Sequence, residues 1–131
     1  MDRSRVLELL LAQHASLRGL MDACAELESA ADLERAVARL RLAFEDHNQH
    51  EEAALRPILS DVDGFDEVRI ERMLTDHIAE HRALADRMAL VSPDALHALL
   101  ATLREHLATE ERYFLSARVV RDDLVVVEGS A

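Results

Sequence analysis

Four segments of this chain place apolar residues at alternating steps of three and four, the spacing that keeps side chains on one face of an α-helix. The same alternation is typical of the stripe along which helices of a left-handed bundle pack. The composition agrees, because Ala, Leu, Glu and Arg dominate while Gly and Pro together number only five of 131 residues. The sequence therefore predicts a single all-α domain in which four amphipathic helices share one core.

Helix-capping and helix-breaking residues mark where these helices begin and end. Asp32 is the expected N-cap of the second helix, and Ser92 followed by Pro93 is typical of the start of the fourth. The stretch SDVDGFDE is the one turn-rich region. The predicted helices span about residues 3–29, 32–59, 65–91 and 93–117.

Short connections between these helices predict an up-and-down, antiparallel four-helix bundle. Residues 1–117 would form this bundle. Residues 118–131 would be a short C-terminal tail, whose β-branched side chains favour a strand or an extended segment on the bundle or on a partner chain. The sequence leaves the oligomeric state open.

The formal net charge of −11 gives a surface that repels nucleic acid and anionic lipid. No apolar run approaches the roughly 20 residues that a membrane helix needs. Glu8 and His14 interrupt the stretch where a signal peptide would have its hydrophobic region. The single cysteine, Cys24, leaves no disulfide within the chain and is predicted to be a core residue. We expect a soluble cytoplasmic protein that binds neither nucleic acid nor membrane.

Polar side chains interrupt the core-facing stripe of every helix. His14 lies about 15 residues before the first turn and His47 about 15 after it, so both should stand some 20 Å from that end of the bundle. Residues four apart share a helix face, and the same count places the remaining members at this depth. The seven members are His14, His47, Glu51, His77, His81, His106 and Glu110.

Each of these residues is ambiguous when taken alone, because a single histidine on a core stripe is more often a hydrogen-bonded core residue than a metal ligand. The seven residues taken together are less ambiguous. Burying seven ionisable groups without compensation costs roughly 1 to 3 kcal/mol for each neutral group, and more for each charge. A domain has a total stability of only about 5 to 15 kcal/mol. A metal or a water-filled cavity must therefore compensate, and we interpret the cluster as a metal site.

The ligand types narrow the choice of metal. Imidazole with carboxylate suits Fe, Mn or Zn, and the absence of thiolate argues against Cu(I) and iron–sulfur clusters. Seven protein ligands are too many for one ion. Two octahedral ions have about 12 coordination positions. Two bridging carboxylates would fill about four of them, five imidazoles about five and a bridging oxygen about two, which leaves about one position open for a small ligand.

These motifs resemble the hemerythrin-like family over about residues 5–117. The resemblance rests on His14 in the first helix, HNQHE at 47–51, HIAEH at 77–81 and HLATE at 106–110. It implies an oxo-bridged centre of two non-heme iron ions (a di-iron centre). One implied iron is held by His77, His81 and His106. The other is held by His14 and His47 and carries the open position, while Glu51 and a fourth-helix carboxylate bridge the two.

The fourth helix departs from the oxygen-carrying members of the family, which have His-x4-Asp there. This chain offers Glu110 at x3 and Glu111 at x4. Glu110 continues the core-facing stripe, whereas Glu111 lies about 100° away from it, so Glu110 is the predicted bridge and Glu111 a surface residue. Family members that are not oxygen carriers also use a glutamate here. The resemblance therefore supports di-iron binding more directly than reversible oxygen carriage.

Three functions remain open at this point. The favoured one is a di-iron protein that binds O2, or a related diatomic molecule or peroxide, for storage, delivery or sensing. The second is a di-iron enzyme that acts on peroxide or nitric oxide, or a protein that releases iron for repair. The third is a structural bundle with zinc or no metal. The sequence shows neither a proton relay nor a substrate pocket, so it does not favour one reaction over another.

Several residues near the cluster are assigned simpler roles. His50, His97 and Glu52 are predicted to lie at the surface, although His50 is close enough to His47 to be a hydrogen-bond partner. Phe44 and Tyr113 are predicted to fill the core on either side of the cluster.

Overall fold

The computed structural model of this chain describes residues 3–60, 66–89, 92–113 and 115. These ranges contain four α-helices and no strand, which confirms the predicted all-α class. Each helix packs mainly against two neighbours, α1 and α3 both lying against α2 and α4, so the bundle is closed and runs up and down. The helices are α1 (Arg3–Glu26), α2 (Ala30–Ser60), α3 (Glu67–Ala89) and α4 (Pro93–Tyr113).

Side-chain caps fix the starts of the last three helices. Ser92 accepts a hydrogen bond from the backbone N–H of Ala95 (3.3 Å), as the sequence predicted. Asp66 caps α3 through the N–H of Arg69 (2.7 Å).

The prediction for the second helix was wrong. Ser29, not Asp32, caps α2: its backbone oxygen accepts from Leu33 N (2.9 Å) and its hydroxyl lies 3.4 Å from Asp32 N. Asp32 instead lies in the first turn, where its negative charge favours the helix N-terminus.

A layer of polar side chains across the middle of the bundle divides the apolar core. The end near the α1–α2 connection holds one large cluster, which includes Cys24 and extends from Leu17 on α1 to Leu107 on α4. We call this the large-cluster end. The opposite, small-cluster end holds two separate groups: Leu10 with Ala54, Ile58 and Leu115, and Leu55 with Leu59, Ile70 and Leu74.

The end of α4 differs from the prediction. Tyr113 was expected to fill the core, yet it is 60% exposed. The helix ends at this residue, and the chain then turns so that the N–H of Leu115 donates to the carbonyl of Glu110 (2.9 Å). Leu115 is thereby buried against α1 and α2 and covers the small-cluster end in place of Tyr113. The predicted tail, residues 118–131, lies outside the described residues.

Among the helices that the structure describes, none combines the length and the apolar character that crossing a bilayer requires. All four helices reach the polar layer at the middle of the bundle.

Candidate metal centre

The polar layer consists of the seven residues that the sequence analysis singled out, and the structure brings all of them together. No member is more than 7% exposed. The pairs four residues apart meet as helix geometry requires: His47 Nε2 lies 3.0 Å from Glu51 Oε2, and His106 Nε2 lies 2.9 Å from Glu110 Oε2. Each helix contributes at least one imidazole.

The imidazoles separate into two groups. His77, His81 and His106 form the three-histidine half, with ring centroids 4.2 to 5.6 Å apart. His14 and His47 form the two-histidine half, with their Nε2 atoms 3.0 Å apart. One atom from each of four residues in either half lies within 4.8 Å of the others, close enough to hold one cation. The two sets are His77, His81, His106 and Glu110, and His14, His47, Glu51 and Glu110.

Glu110 lies between the two halves. Its Oε2 is 2.7 Å from His77 Nε2 and 2.9 Å from the Nε2 atoms of His81 and His106. Its Oε1 faces the other way, 3.1 Å from His14 Nε2 and 4.0 Å from His47 Nε2. One carboxylate thus presents one oxygen to each half.

Glu51 has the same arrangement from α2. Its Oε1 is 2.6 Å from His77 Nε2 and 3.5 Å from His81 Nε2. Its Oε2 is 3.0 Å from His47 Nε2 and 3.6 Å from His14 Nε2. The centre therefore has two carboxylates in the positions that bridging ligands would occupy.

Glu111, the alternative to Glu110, lies outside the centre. Its carboxylate accepts a hydrogen bond from Nδ1 of His14 (2.8 Å), on the side of the ring away from the centre. The same carboxylate forms a two-pronged pair with the Arg18 guanidinium, at 2.6 and 3.0 Å. Glu111 is therefore a partner of a centre residue and not the surface residue that its position predicted.

Three further histidines have their outer nitrogen, Nδ1, held by a side chain from a neighbouring helix. His81 Nδ1 lies 2.6 Å from Glu52, His106 Nδ1 lies 2.6 Å from Glu80, and His47 Nδ1 lies 2.6 Å from the side-chain oxygen of Gln13. An oxygen at Nδ1 accepts its proton and fixes the ring so that the inner nitrogen, Nε2, faces the centre.

The sequence analysis missed these partners. Glu52 was predicted to lie at the surface, yet its side chain is only 26% exposed. A signal was present: Gln13, Glu52, Glu80 and Glu111 each directly precede or follow a member of the polar layer in the sequence. A polar residue beside one ligand candidate can reach the outer nitrogen of another on the next helix.

The other sequence predictions near the centre have mixed outcomes. His50 and His97 are exposed, as predicted. Phe44 is buried and packs its ring against His81 and His106, with centroids 5.8 and 6.0 Å away. It therefore borders the three-histidine half.

Without a metal, the centre is a compact set of opposite charges. Burial opposes the protonation of His14, but hydrogen bonds to Glu110, Glu51 and Glu111 outweigh it and raise the pKa of His14 to about 9. Hydrogen bonds to Glu110 and Glu51 likewise overcome burial and raise the pKa values of His77 to about 9 and His81 to about 10.

The two carboxylates respond in the opposite sense. Burial works to raise the pKa values of both carboxyl groups. For Glu110, a hydrogen bond with Glu51 and those with the surrounding imidazoles outweigh burial and lower its pKa. For Glu51, the hydrogen bond with Glu110 adds to the effect of burial, but the surrounding imidazoles outweigh both and lower its pKa. Imidazolium and carboxylate thus stabilise each other while the site holds protons in place of metal.

Two inward-facing atoms show that this charge pairing is incomplete. His106 Nε2 and Glu110 Oε1 are buried and lack a hydrogen-bond partner among the described residues, although His106 Nε2 lies 2.9 Å from Glu110 Oε2 and Glu110 Oε1 lies 3.1 Å from His14 Nε2. Each half thus has one inward-facing donor atom that no hydrogen bond satisfies. A cation in each half would satisfy it, so the donor set fits a metal.

Comparison with known proteins identifies a protein family. The model of the hemerythrin HHE cation-binding domain matches residues 5–117. No curated protein and no solved structure shows significant similarity to the chain.

Proposed function

The chain belongs to the family of hemerythrin HHE cation-binding domains, and from this premise we propose that it holds two iron ions and binds O2 or a related small molecule. In this proposal the three-histidine half binds one iron and the two-histidine half the other. In this role the protein would store, deliver or sense the small molecule.

One observation carries the proposal: Glu51 and Glu110 each direct one oxygen towards each half of the centre. A single cation would leave half of these oxygens and two or three imidazoles buried without a partner, at a cost of about 1 to 3 kcal/mol each. Two cations bridged by the carboxylates use every inward-facing donor. The donor set therefore supports a dinuclear centre.

The two halves do not offer equal numbers of donors. Both receive one oxygen from each carboxylate, but one has three imidazoles and the other only two. The two-histidine half therefore has room for an external ligand. Leu10 and Leu17, which flank His14 on α1, are buried and keep this part of the bundle apolar.

An open groove of about 320 Å³ between α1 and α2 reaches His47 of the two-histidine half. It is bordered by the small side chains of Ala12, Ser16 and Ala43, and Gln13, Asp46 and His47 lie along it. A groove of this volume can admit a diatomic molecule or peroxide. When bound, iron would supply the electrons for binding O2, while the chain positions the donors and limits access of water.

A UV-visible spectrum of the aerobically purified protein, with and without dithionite, tests the proposal. We expect near-ultraviolet charge-transfer bands that bleach on reduction, together with two iron ions per chain by elemental analysis. A spectrum without such bands, from a protein loaded with zinc or with no metal, would support a structural bundle instead.

One observation favours an alternative, a di-iron enzyme that consumes peroxide or nitric oxide, or a protein that releases iron. The carboxylates at the outer nitrogens extend towards the surface, and Glu80 is 57% exposed. Such carboxylates can exchange protons with solvent, which a reductive reaction needs. Stopped-flow mixing of the reduced protein with oxygenated buffer distinguishes the two, because binding predicts an intermediate spectrum and turnover predicts direct return to the oxidised spectrum.

A further inference from the structure

The partners of the outer nitrogens are not all alike. The outer nitrogens of His14, His81 and His106 each face a carboxylate. The outer nitrogen of His47 faces the neutral amide of Gln13. We propose that Gln13 is a positioning residue that makes His47 the weakest imidazole donor of these four histidines. Gln13 would thereby raise the reduction potential of the iron that the two-histidine half would hold. This inference rests on the proposed di-iron function.

The contact between Gln13 and His47 determines which nitrogen can bind a metal. The side-chain oxygen of Gln13 lies 2.6 Å from His47 Nδ1 and can only accept, so Nδ1 must carry the proton. The lone pair of His47 is then on Nε2, which faces Glu51 at 3.0 Å. An amide turned the other way would present N–H to Nδ1, place the proton on Nε2 and block the site. The Nε2 of Gln13 instead points away, 3.4 Å from His50.

The charge of the partner determines how strongly the imidazole donates. A carboxylate draws the Nδ1 proton towards itself and increases the electron density at Nε2, which stabilises a metal in its higher oxidation state. An amide oxygen accepts the same proton without a negative charge. His14 and His47 therefore have unequal donor strength within one half, because Glu111 holds the first and Gln13 the second.

The location of Gln13 gives this difference a role. Gln13 lies along the groove between α1 and α2, beside the half that has the fewest protein donors. A neutral partner there leaves the two-histidine iron comparatively electron-poor. This electron-poor character favours a reduced iron that is open to a small molecule.

Gln13→Glu tests the proposal directly, because the side chain keeps its size and becomes the same kind of partner that the other three histidines have. We expect the iron-loaded variant to have a lower midpoint potential than the unchanged protein and shifted charge-transfer bands, with its two iron ions retained. Gln49→Glu is the matched control. Gln49 is exposed on the α3 side of α2 and is not among the partners of these four outer nitrogens described above, so the variant adds the same charge without changing one of these contacts.

A second measurement removes the dependence on iron. In Gln13→Ala the outer nitrogen of His47 loses its acceptor, and affinity for zinc at one of the two sites should fall about 10- to 100-fold. Gln49→Ala should leave zinc affinity unchanged. Chelator competition with the full-length protein measures both.

The outcomes separate this inference from the function on which it rests. Equal shifts of the potential in Gln13→Glu and Gln49→Glu, or no shift in Gln13→Glu, overturn the proposed role of Gln13. If the purified protein takes up no iron, the proposed function fails, and the zinc titration decides the positioning role: unchanged zinc affinity in Gln13→Ala refutes it.

Discussion

Glu111 follows Glu110 in the sequence, yet it contacts the outer nitrogen of His14 while Glu110 lies between the two halves of the centre. Two consecutive glutamates therefore have different roles because the helix turns by about 100° from one to the next. Arg18 holds Glu111 from α1 and lowers the pKa of its carboxyl group, which keeps it charged beside His14. The pair stabilises the orientation of a buried ring from outside.

This arrangement predicts a graded effect of two substitutions. Glu110→Ala removes an oxygen from each half and should abolish or halve the metal content. Glu111→Ala removes only the partner of His14 and should lower metal affinity about 10- to 100-fold without changing the number of sites. Elemental analysis and chelator competition measure these effects, with Arg112→Ala, an exposed neighbour, as control. Full metal affinity in Glu111→Ala would mean that His14 keeps its orientation without this contact.

Part of the centre could be predicted residue by residue, and part could not. His77 and His81 follow from spacing alone, because four residues make one helical turn. Gln13 and Glu80 could not be assigned partners, because a contact between helices depends on the rotation of each helix about its own axis, and an error of one residue in register moves a side chain by about 100°. Core stripes determine that rotation only approximately.

At the scale of the helices, capping shows the same limit. Asp32 and Ser29 are both good N-cap residues, and the choice between them depends on which backbone carbonyl starts the helix. Asp66 was missed because the turn-rich stretch that contains it offers several acidic candidates for the N-cap. Helix identity and spacing could be predicted from the stripes, whereas exact ends depend on single hydrogen bonds.

Asp66 provides a test of these caps. Its carboxylate accepts from Arg69 N at 2.7 Å, so Asp66→Ala should lower the free energy of unfolding by about 1 kcal/mol. Asp32→Ala, which removes a first-turn charge but no cap, should cost only about 0.3 to 1 kcal/mol, and less at high salt. Urea denaturation of both variants in the same metal state measures the difference. A cost for Asp32→Ala as large as that for Asp66→Ala would restore Asp32 as the cap.

Across the bundle as a whole, metal and protons would compete for the same buried side chains. Because metal ligation would compensate the burial of seven ionisable groups, removal of metal should lower the melting temperature. We expect full stability with two metal ions per chain and a lower melting temperature after chelation, reversed by adding metal. One ion per chain, or a melting temperature indifferent to chelation, contradicts the dinuclear centre.

The metal-free protein should also have its own pH dependence. The pKa values of His14, His77 and His81 rise from 6.5 to about 9, 9 and 10 on folding, because hydrogen bonds to the carboxylates overcome burial. Their stabilisation is fully present below pH 6.5 and is lost as the pH rises through 9 to 10. The pKa values of Glu51 and Glu110 fall below 4.5, so their stabilisation is lost as the pH drops below that value.

The metal-free protein should therefore be more stable near pH 5 to 6 than near pH 9, whereas the loaded protein, whose imidazoles must be unprotonated, should gain stability as the pH rises. Melting temperatures of chelated and loaded protein at about pH 5, 7 and 9 measure both trends. Stability of the chelated protein that rises up to pH 9 would mean that the imidazoles are neutral in the fold.

The polar layer also separates two regions of unequal size, and this has a consequence for local opening. The small-cluster end has only a few apolar side chains to hold it, so in the metal-free protein its backbone amides should exchange with deuterium sooner than those around Leu99 and Leu103. The seven residues of the polar layer, from all four helices, meet between the two regions. Loading the centre should therefore slow exchange most at the small-cluster end and merge two separately opening units into one cooperative unit, which exchange measured residue by residue would reveal.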